Sequence, residues 1–172
     1  MPVTVEEITT VDEVRSQVEI LREYLNYVCN DLRLNADIDI DPEPLLADTL
    51  SNAETFVPPL GAAYVAKDDE GDVVGIGFMR PVGGNAFEIK RVFVRRKARG
   101  LGAGRALMNA LMDRARSEGA SEMLLDSSKT LSEAIGLYEK LGFTYTDPYP
   151  QSSHYGDKEL EPILIFMRKS LV

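Results

Sequence analysis

The residues from Arg99 to Arg105 have the types and spacing of an anion-binding turn. Glycines let a backbone turn tightly and approach a ligand closely. The first amides of a helix are unpaired and lie at the positive end of its dipole. An alternating apolar run, Phe87 to Val94, precedes the turn, and an amphipathic run, Ala106 to Ser117, follows it. We therefore predict a strand, a turn and a helix that bind a phosphate or pyrophosphate. The turn consists of Arg99, Gly100, Leu101, Gly102, Ala103, Gly104 and Arg105.

The charge distribution supports a compact anionic ligand at this turn. The chain has a net charge of −9, yet seven of its 19 basic residues and no acidic residue fall between Lys90 and Arg105. A nucleic acid would need a broader basic surface. The alternative is a solvated basic surface on a strand-to-helix connection. We favour the ligand because glycines lie at the centre of the cluster.

The spacing of the glycines separates three classes of phosphate-binding loop. A Walker A loop ends in Gly-Lys-Ser/Thr, which this turn lacks. A dinucleotide fingerprint needs Gly-x-Gly-x-x-Gly. Counted from Gly100 or from Gly102, its third position holds Arg105 or Leu107. The third pattern, Arg/Gln-x-x-Gly-x-Gly/Ala, is satisfied by Arg99 to Gly104.

A second motif lies downstream, where Ala134 to Phe143 reads Ala-Ile-Gly-Leu-Tyr-Glu-Lys-Leu-Gly-Phe. With the Gly-rich turn and the strand before it, this segment resembles the two core motifs of the GNAT family of N-acetyltransferases. The resemblance covers nearly the whole chain and is weakest before Leu60. One departure is Leu131, where many members carry an asparagine that contacts the cofactor.

The periodicity predicts the elements that must position these motifs. We expect a hairpin at Asp68–Gly71 and another turn at Pro81–Asn85, and Gly75 and Gly77 indicate a bulge or a close backbone approach. Strands are predicted at Pro2–Ile8, Leu60–Lys67, Asp72–Arg80, Phe87–Val94, Ser121–Asp126, Phe143–Tyr145 and Pro162–Met167. Helices are predicted at Val11–Asn30, Leu45–Ala53, Ala106–Ser117 and Leu131–Leu141, and a breaker-rich acidic loop at Asn35–Pro44.

This element order predicts an α/β (α+β) fold in one domain, residues 1–172. The resemblance implies a mixed, mostly antiparallel central sheet of six to seven strands flanked by about four helices. It also implies a splayed parallel pair at the cofactor site.

The resemblance implies acetyl-CoA as the cosubstrate, with transfer of its acetyl group to an amine of a small molecule or peptide. The amides from Arg99 to Arg105 would bind the CoA pyrophosphate. Val92, Phe93 and Val94 would pair with the pantetheine arm, and a backbone amide there would polarise the thioester carbonyl. Core packing is the alternative role for Val92 and Val94. A non-catalytic acyl-CoA-binding or sensor domain, or an unrelated nucleotide-binding module, is the rival function.

Three side chains are candidates for proton transfer. Tyr138 matches the family tyrosine that protonates the leaving thiolate; its alternative is a half-buried helix tyrosine. Glu88 lies where histone-acetylating relatives carry a general base; its alternative is a partner for a neighbouring lysine or arginine. His154, in the loop Ser153–Tyr155, is the other candidate base, and an unremarkable loop histidine is its alternative.

We expect the acceptor site in the segments least similar to the family, Asp37–Glu43, Pro81–Asn85 and Asp147–Gly156. Acidic residues there would favour a cationic acceptor, although for any single aspartate we favour the alternative of a merely solvated loop. The single histidine and single cysteine, Cys29, argue against a metal site and an internal disulfide, and Cys29 fits a buried thiol. No signal peptide or membrane span is visible, which predicts a cytoplasmic protein without a membrane partner. The compact basic cluster predicts that no nucleic acid is bound. The resemblance is compatible with a homodimer.

Overall fold

The computed structural model describes residues 2–172, which form seven strands and five α-helices. The strands are β1 (Thr4–Ile8), β2 (Ala62–Lys67), β3 (Val73–Gly83), β4 (Ala86–Val94), β5 (Glu122–Ser128), β6 (Thr144–Thr146) and β7 (Leu164–Ser170). The helices are α1 (Val11–Arg15), α2 (Val18–Ala36), α3 (Pro42–Ser51), α4 (Ala103–Ser117) and α5 (Ser132–Lys140). Short 3₁₀ turns lie at Ala53–Phe56, Arg96–Ala98 and Glu161–Ile163.

All seven strands form one sheet in the order β1-β2-β3-β4-β5-β7-β6. Each neighbouring pair is antiparallel except β4 and β5, which are parallel. The parallel pair follows from the crossover through α4, because parallel neighbours need a long connection. The mixed, mostly antiparallel sheet predicted from the sequence is confirmed, with one helix more than the four expected.

The prediction of one helix over Val11–Asn30 was wrong, because the chain breaks at Ser16 and Gln17. Thr10 caps α1 by accepting a hydrogen bond from the Glu13 amide at 3.1 Å. The Ser16 hydroxyl then donates to the Glu13 carbonyl at 2.6 Å, which competes with the helical ladder. A new ladder starts where the Leu21 amide donates to the Gln17 carbonyl.

The acidic loop predicted at Asn35–Pro44 is shorter than expected. The second helix continues to Ala36 and ends at Asp37 in the left-handed region, with φ 54°. The third helix starts at Pro42, where a proline is tolerated because the first helical amide has no partner. Asp41 caps it, accepting from the Glu43 amide at 3.0 Å. The prolines therefore begin this helix instead of ending the loop.

Helices cover both faces of the sheet. α1, α2 and α3 pack over Ile76, Phe78 and Phe93 on one face, which we call the α2 face. α4 and α5 pack over Met123, Leu125 and Met167 on the other, the α4 face. Side chains of this size stabilise the fold by about 1.5–3 kcal/mol each when fully buried.

The helix α4 approaches β3 closely at two glycines. A Cβ at Gly75 would lie 3.0 Å from Leu107 Cδ1, and one at Gly77 would lie 3.1 Å from Leu111 Cδ1. The predicted close backbone approach is therefore confirmed. Cys29 is buried, and burial raises the pKa of its thiol. Among residues 2–172, no helix is long and apolar enough to cross a membrane.

Candidate active site

The parallel strands β4 and β5 pair over a short stretch and then separate. Their register joins Ala86 to Glu122, Phe87 to Met123 and Glu88 to Leu124, where the pairing ends. Beyond that point β4 continues on β3 as far as Val94, and β5 continues on β7 as far as Ser128. The sheet is therefore open between the carboxyl-terminal halves of β4 and β5, beside the Gly-rich turn.

A bulge lies on β4 at the point of separation. Phe78 pairs with Lys90 and Ile76 with Phe93, so the register shifts by one residue between them. Arg91 takes up the extra residue, with φ 56°, a conformation that costs energy for a non-glycine residue. Bulges are frequent beside active sites because they redirect a side chain. Here the bulge carries Arg91 to the α2 face, where its guanidinium contacts Thr49 of α3.

The Gly-rich turn has the geometry of an anion site. Gly100 and Gly102 have φ of 79° and 83°, so both need glycine. A Cβ at either would meet no protein atom within 4 Å, which leaves open space in front of the turn. The first helical ladder bond in α4 runs from the Ala106 amide to the Gly102 carbonyl, at 2.9 Å. The amides of residues 103–105 have no acceptor four residues back within the helix, and they suit a pyrophosphate.

Gly104 has a different role from the other two glycines. A Cβ there would lie 3.1 Å from Leu137 Cδ2 on α5, so Gly104 lets the two helices approach each other. The expectation that all three glycines clear space for a ligand therefore applies to Gly100 and Gly102 only.

The basic cluster around the turn is partly engaged in ion pairs. Arg95 Nε lies 2.9 Å from Glu23, and Lys97 Nζ lies 3.2 Å from Asp68. Arg96 and Arg105 are exposed, and neither pairs with a carboxylate among residues 2–172. These two arginines are thus the cations most available to an anion at the turn.

A groove of about 570 Å³ runs between α2 and the end of β4. Arg99 crosses it: its Nε donates to the Val94 carbonyl at 3.1 Å, and its guanidinium lies 5.2 Å from the centre of the Tyr27 ring. Phe93 lies under both, with its ring 5.9 Å from that of Tyr27. The groove thus brings together Phe93, Val94 and Arg99, three of the predicted cofactor residues. Its lining residues are Glu23, Asn26, Tyr27, Asn30, Phe93, Arg96 and Arg99.

Tyr138 projects from α5 into the buried core of the α4 face, near Phe143. Burial raises the pKa of its phenol, and the nearby Tyr24 and Asp126 raise it further. Tyr24 packs against Phe93 on the α2 face, with ring centres 5.6 Å apart. Leu137, the residue before Tyr138, meets Gly104 of the Gly-rich turn, so α5 packs beside that turn. Burial keeps the Tyr138 phenol protonated, and a protonated phenol can supply a proton to a departing thiolate.

Glu88 is fully buried at the last paired position of β4. Its carboxylate accepts hydrogen bonds from Arg80 Nε at 2.9 Å and from the Tyr149 hydroxyl at 2.7 Å. Lys90 Nζ lies 3.3 Å away. The structure thus places Glu88 among the neighbouring cations that the sequence suggested as its alternative partners, and three donors already surround its oxygens.

The loop from Asp147 to Gly156 covers this part of the α2 face. The Ser152 hydroxyl donates to Asp126 Oδ2 at 2.5 Å, and Arg80 Nη2 donates to the Gln151 carbonyl at 2.8 Å. His154 follows, with its amide bonded to Ser152 Oγ at 3.1 Å. Burial lowers the pKa of the His154 imidazole, Asp126 opposes that shift, and Lys90 adds to it. A neutral, half-buried imidazole near the gap can accept a proton.

In two of the three segments expected to form the acceptor site, side chains make structural contacts. In the acidic segment, Asp41 caps α3 and Glu43 pairs with Arg22 at 3.0 Å. The turn at Gly83–Asn85 lies at the paired end of β4 and β5, where the Asn85 amide group donates to the Gly119 carbonyl. The third segment, the loop Asp147–Gly156, contacts Asp126 of β5 and Arg80 of β3.

The sequence analysis missed Tyr24, Arg91 and Asp126, which surround the gap on the α2 face. Asp126 ends a buried apolar run on β5, and a polar residue at the carboxyl end of such a strand is a signal that could have revealed it. Arg91 stands in an otherwise alternating strand, where two consecutive cations indicate a bulge. Tyr24 gave no signal, because it continues the helical pattern of α2.

Comparison with known proteins finds a matching family model and similar proteins. The model of the acetyltransferase (GNAT) family matches residues 25–143. An uncharacterized N-acetyltransferase of Schizosaccharomyces pombe is 38% identical over 104 residues, which cover 59% of this chain and 64% of that protein. An IAA acetyltransferase of Azospirillum brasilense is 34% identical over 132 residues, which cover 76% of this chain and 82% of that protein.

The fold also has solved counterparts. The PaiA N-acetyltransferase of Thermoplasma acidophilum, solved in complex with coenzyme A, superposes with a TM-score of 0.71 at 14% identity. The superposition covers 99% of both chains.

Proposed function

The chain belongs to the GNAT acetyltransferase family, and we propose that this acetyl-CoA-dependent N-acetyltransferase acetylates an amine of a small molecule or peptide by direct attack on the thioester. One observation carries the proposal. The sheet opens between β4 and β5 directly beside the Gly-rich turn, and α5, which carries Tyr138, packs against that turn where Leu137 meets Gly104.

The residues present fit the cosubstrate. The open space before Gly100 and Gly102, together with the first amides of α4, suits the CoA pyrophosphate. Arg96 and Arg105 supply charge beside it. The edge of β4 from Val92 to Val94 is available to the pantetheine arm, once the Arg99 guanidinium leaves the Val94 carbonyl. The metal-free chemistry expected from the sequence remains part of the proposal.

The reaction balances with one proton released to solvent. An ammonium acceptor first loses a proton, and its nitrogen lone pair then forms a bond to the thioester carbonyl carbon. A backbone amide near Phe93 or Val94 would stabilise the developing oxyanion. When the carbon–sulfur bond breaks, the electron pair stays on sulfur, and the thiolate takes a proton from Tyr138. The acylated nitrogen then loses its second proton to the phenolate, which restores the Tyr138 phenol.

Two groups compete for the role of general base. Glu88 is the general base predicted from the sequence, but three donors already surround its carboxylate. His154 is half buried, and the lowered pKa of its imidazole keeps it neutral near pH 7. We infer that His154, directly or through water, accepts the first proton and that Glu88 positions Lys90 and Arg80.

An amine-panel assay tests the function. Purified protein should release free thiol from acetyl-CoA in the presence of at least one amine and form the corresponding acetamide, detected by mass spectrometry. Calorimetry should show binding of CoA and acetyl-CoA but not ATP. Binding of CoA without turnover on any amine would favour the rival acyl-CoA sensor, and ATP binding without CoA binding would favour a nucleotide-binding module.

The whole chain forms the proposed catalytic domain, residues 1–172. The outer strands of the single sheet, β1 and β6, come from opposite ends of the sequence. A cytoplasmic location also belongs to the proposal, and the buried free thiol of Cys29 is compatible with a reducing compartment.

A further inference from the structure

Arg91 is a half-buried arginine without a carboxylate partner among residues 2–172. Arg80 and Arg95, which are similarly buried, pair with Glu88 and Glu23. Arg91 instead donates from Nε and Nη2 to the hydroxyl of the buried Thr49, at 3.1 and 3.0 Å. A neutral hydroxyl fixes the direction of the guanidinium but leaves its charge uncompensated. A guanidinium held in this way matches a carboxylate.

Asp126, on β5 across the gap, is the acidic counterpart of Arg91. It is half buried, and no lysine or arginine in the described part of the chain pairs with it. Its Oδ2 accepts from the buried Ser152 hydroxyl at 2.5 Å. The carboxylate is thus fixed by a neutral donor, and its charge remains available to a cation.

The two unpaired charges face the same small region. Lys90 and Asp126 each lie two residues beyond the last paired position, Glu88 with Leu124, and Arg91 follows Lys90. Lys90 is already committed to Glu88 and to Ser153. Lys90 Nζ lies 3.4 Å from Ser153 Oγ, and Asp126 accepts a hydrogen bond from Ser152, so adjacent residues of one loop contact both strands. Arg91 and Asp126 therefore border the same part of the gap without pairing with each other.

We propose that the acceptor is a zwitterion of the α-amino acid type, whose carboxylate binds Arg91 and whose amino group lies at Asp126. This inference rests on the proposed function and names its substrate class. A carboxylate would form a bidentate contact that Thr49 cannot supply. A polyamine would place a second cation against Arg91 and Lys90, and an internal residue of a peptide would present no carboxylate beside its amine.

Matched acceptors test the assignment. L-amino acids with aliphatic, aromatic and polar side chains are compared with their α-carboxamides in the acetyl-CoA assay. The amide has the less basic amine and is more often neutral, so it would react faster if the carboxylate were not recognised. We expect the reverse, with kcat/KM about 10- to 100-fold higher for the acid, as for a charged hydrogen-bonded pair.

Two variants separate the two ends of the acceptor. Arg91→Gln should reduce the acid-to-amide ratio of kcat/KM to one or below, because the more often neutral amide then reacts at least as fast. Asp126→Asn should lower kcat/KM for acid and amide alike, because both carry the amine. Arg116→Gln, which removes a charge from the exposed end of α4, is the control and should keep the ratio. Because the ratio compares two acceptors on the same protein, partial unfolding does not change it.

A wild-type enzyme that prefers the amides, or an Arg91→Gln variant that keeps the acid preference, overturns the assignment. Calorimetry on the CoA-loaded protein compares the binding affinities for the acid and the amide without turnover. If no amine is acetylated, the proposed function fails. Tighter binding of the acid than of the amide, lost in Arg91→Gln, would then still support the site, and equal or absent binding of both would reject it.

Discussion

Tyr149 donates its phenolic hydrogen to the fully buried carboxylate of Glu88 over 2.7 Å. This contact joins the loop after β6 to β4 at the last residue that pairs with β5. With Arg80 and Lys90 on its other side, Glu88 connects three segments that border the gap. These contacts account for a buried carboxylate at this position without a role as general base.

Replacing Glu88 by Gln should lower stability more than it changes the pH dependence of catalysis. The change leaves Arg80 and Lys90 without a buried counter-charge, which typically costs about 3–5 kcal/mol. Glu6→Gln removes an exposed partner of Lys67 and should cost less than about 1 kcal/mol. Denaturant unfolding and the pH profile of kcat/KM are the measurements. Loss of the acidic limb of that profile in Glu88→Gln would restore Glu88 as the base.

Tyr138→Phe should lower kcat by roughly 100- to 10,000-fold, the usual range for a general acid. Affinity for CoA should change little, because the ring and its packing against Phe143 remain. Stopped assays give the rate, and calorimetry gives the affinity. Equal rates for the variant and the wild type would remove Tyr138 from the mechanism.

His154 should set the acidic limb of the pH profile, with a midpoint below the ordinary value of 6.5, because burial lowers the pKa of its imidazole. A lowered pKa favours the neutral form in the folded state. Its contribution to stability is thus present above the unfolded pKa and is lost as the pH falls through the folded one. His154→Gln should abolish this limb, and an unchanged limb would exclude His154. Titration of the imidazole by NMR checks the direction independently.

Gly102→Ala should weaken CoA binding several-fold, and Gly71→Ala should not. Both glycines have φ between 80° and 90°, and a Cβ at either meets no protein atom within 4 Å. Each substitution should therefore cost a similar amount of stability, about 1–2 kcal/mol from backbone strain. Only Gly102 lies at the proposed pyrophosphate site, whereas Gly71 lies in the β2–β3 hairpin. Equal CoA affinities for the two variants would contradict the assignment of the turn.

Local patterns were sufficient to predict most of the fold. Alternating apolar residues located β2 and β4, and glycines marked the turn before α4, because these signals depend on neighbours in sequence. The break at Ser16 was missed, since a hydroxyl bonded to the Glu13 carbonyl interrupts the helix without disturbing the apolar spacing. The start of α3 was missed because Pro42 is equally compatible with a loop.

Candidate site residues in short sequence motifs could be identified from the sequence, and those that depend on distant contacts could not. The Gly-rich turn and Tyr138 belong to short motifs. Thr49 is 42 residues from Arg91, and Ser152 is 26 residues from Asp126. The spacing of apolar residues gives no information about contacts between residues so far apart in sequence. The uncompensated charges at the gap therefore became visible only in the folded chain.

The short ladder between β4 and β5 also limits how firmly the two halves of the sheet are connected. Three residue pairs, and a flanking hydrogen bond from the Ser121 amide to the Asn85 carbonyl, join the backbone of the four-stranded half, β1 to β4, to that of the three-stranded half, β5 to β7. A pantetheine arm bonded along the free edge of β4 would act as an eighth, non-peptide strand between the halves. The cosubstrate would then be a structural part of the sheet during catalysis. Each release of CoA would leave the carboxyl-terminal parts of β4 and β5 unconnected until the next molecule binds.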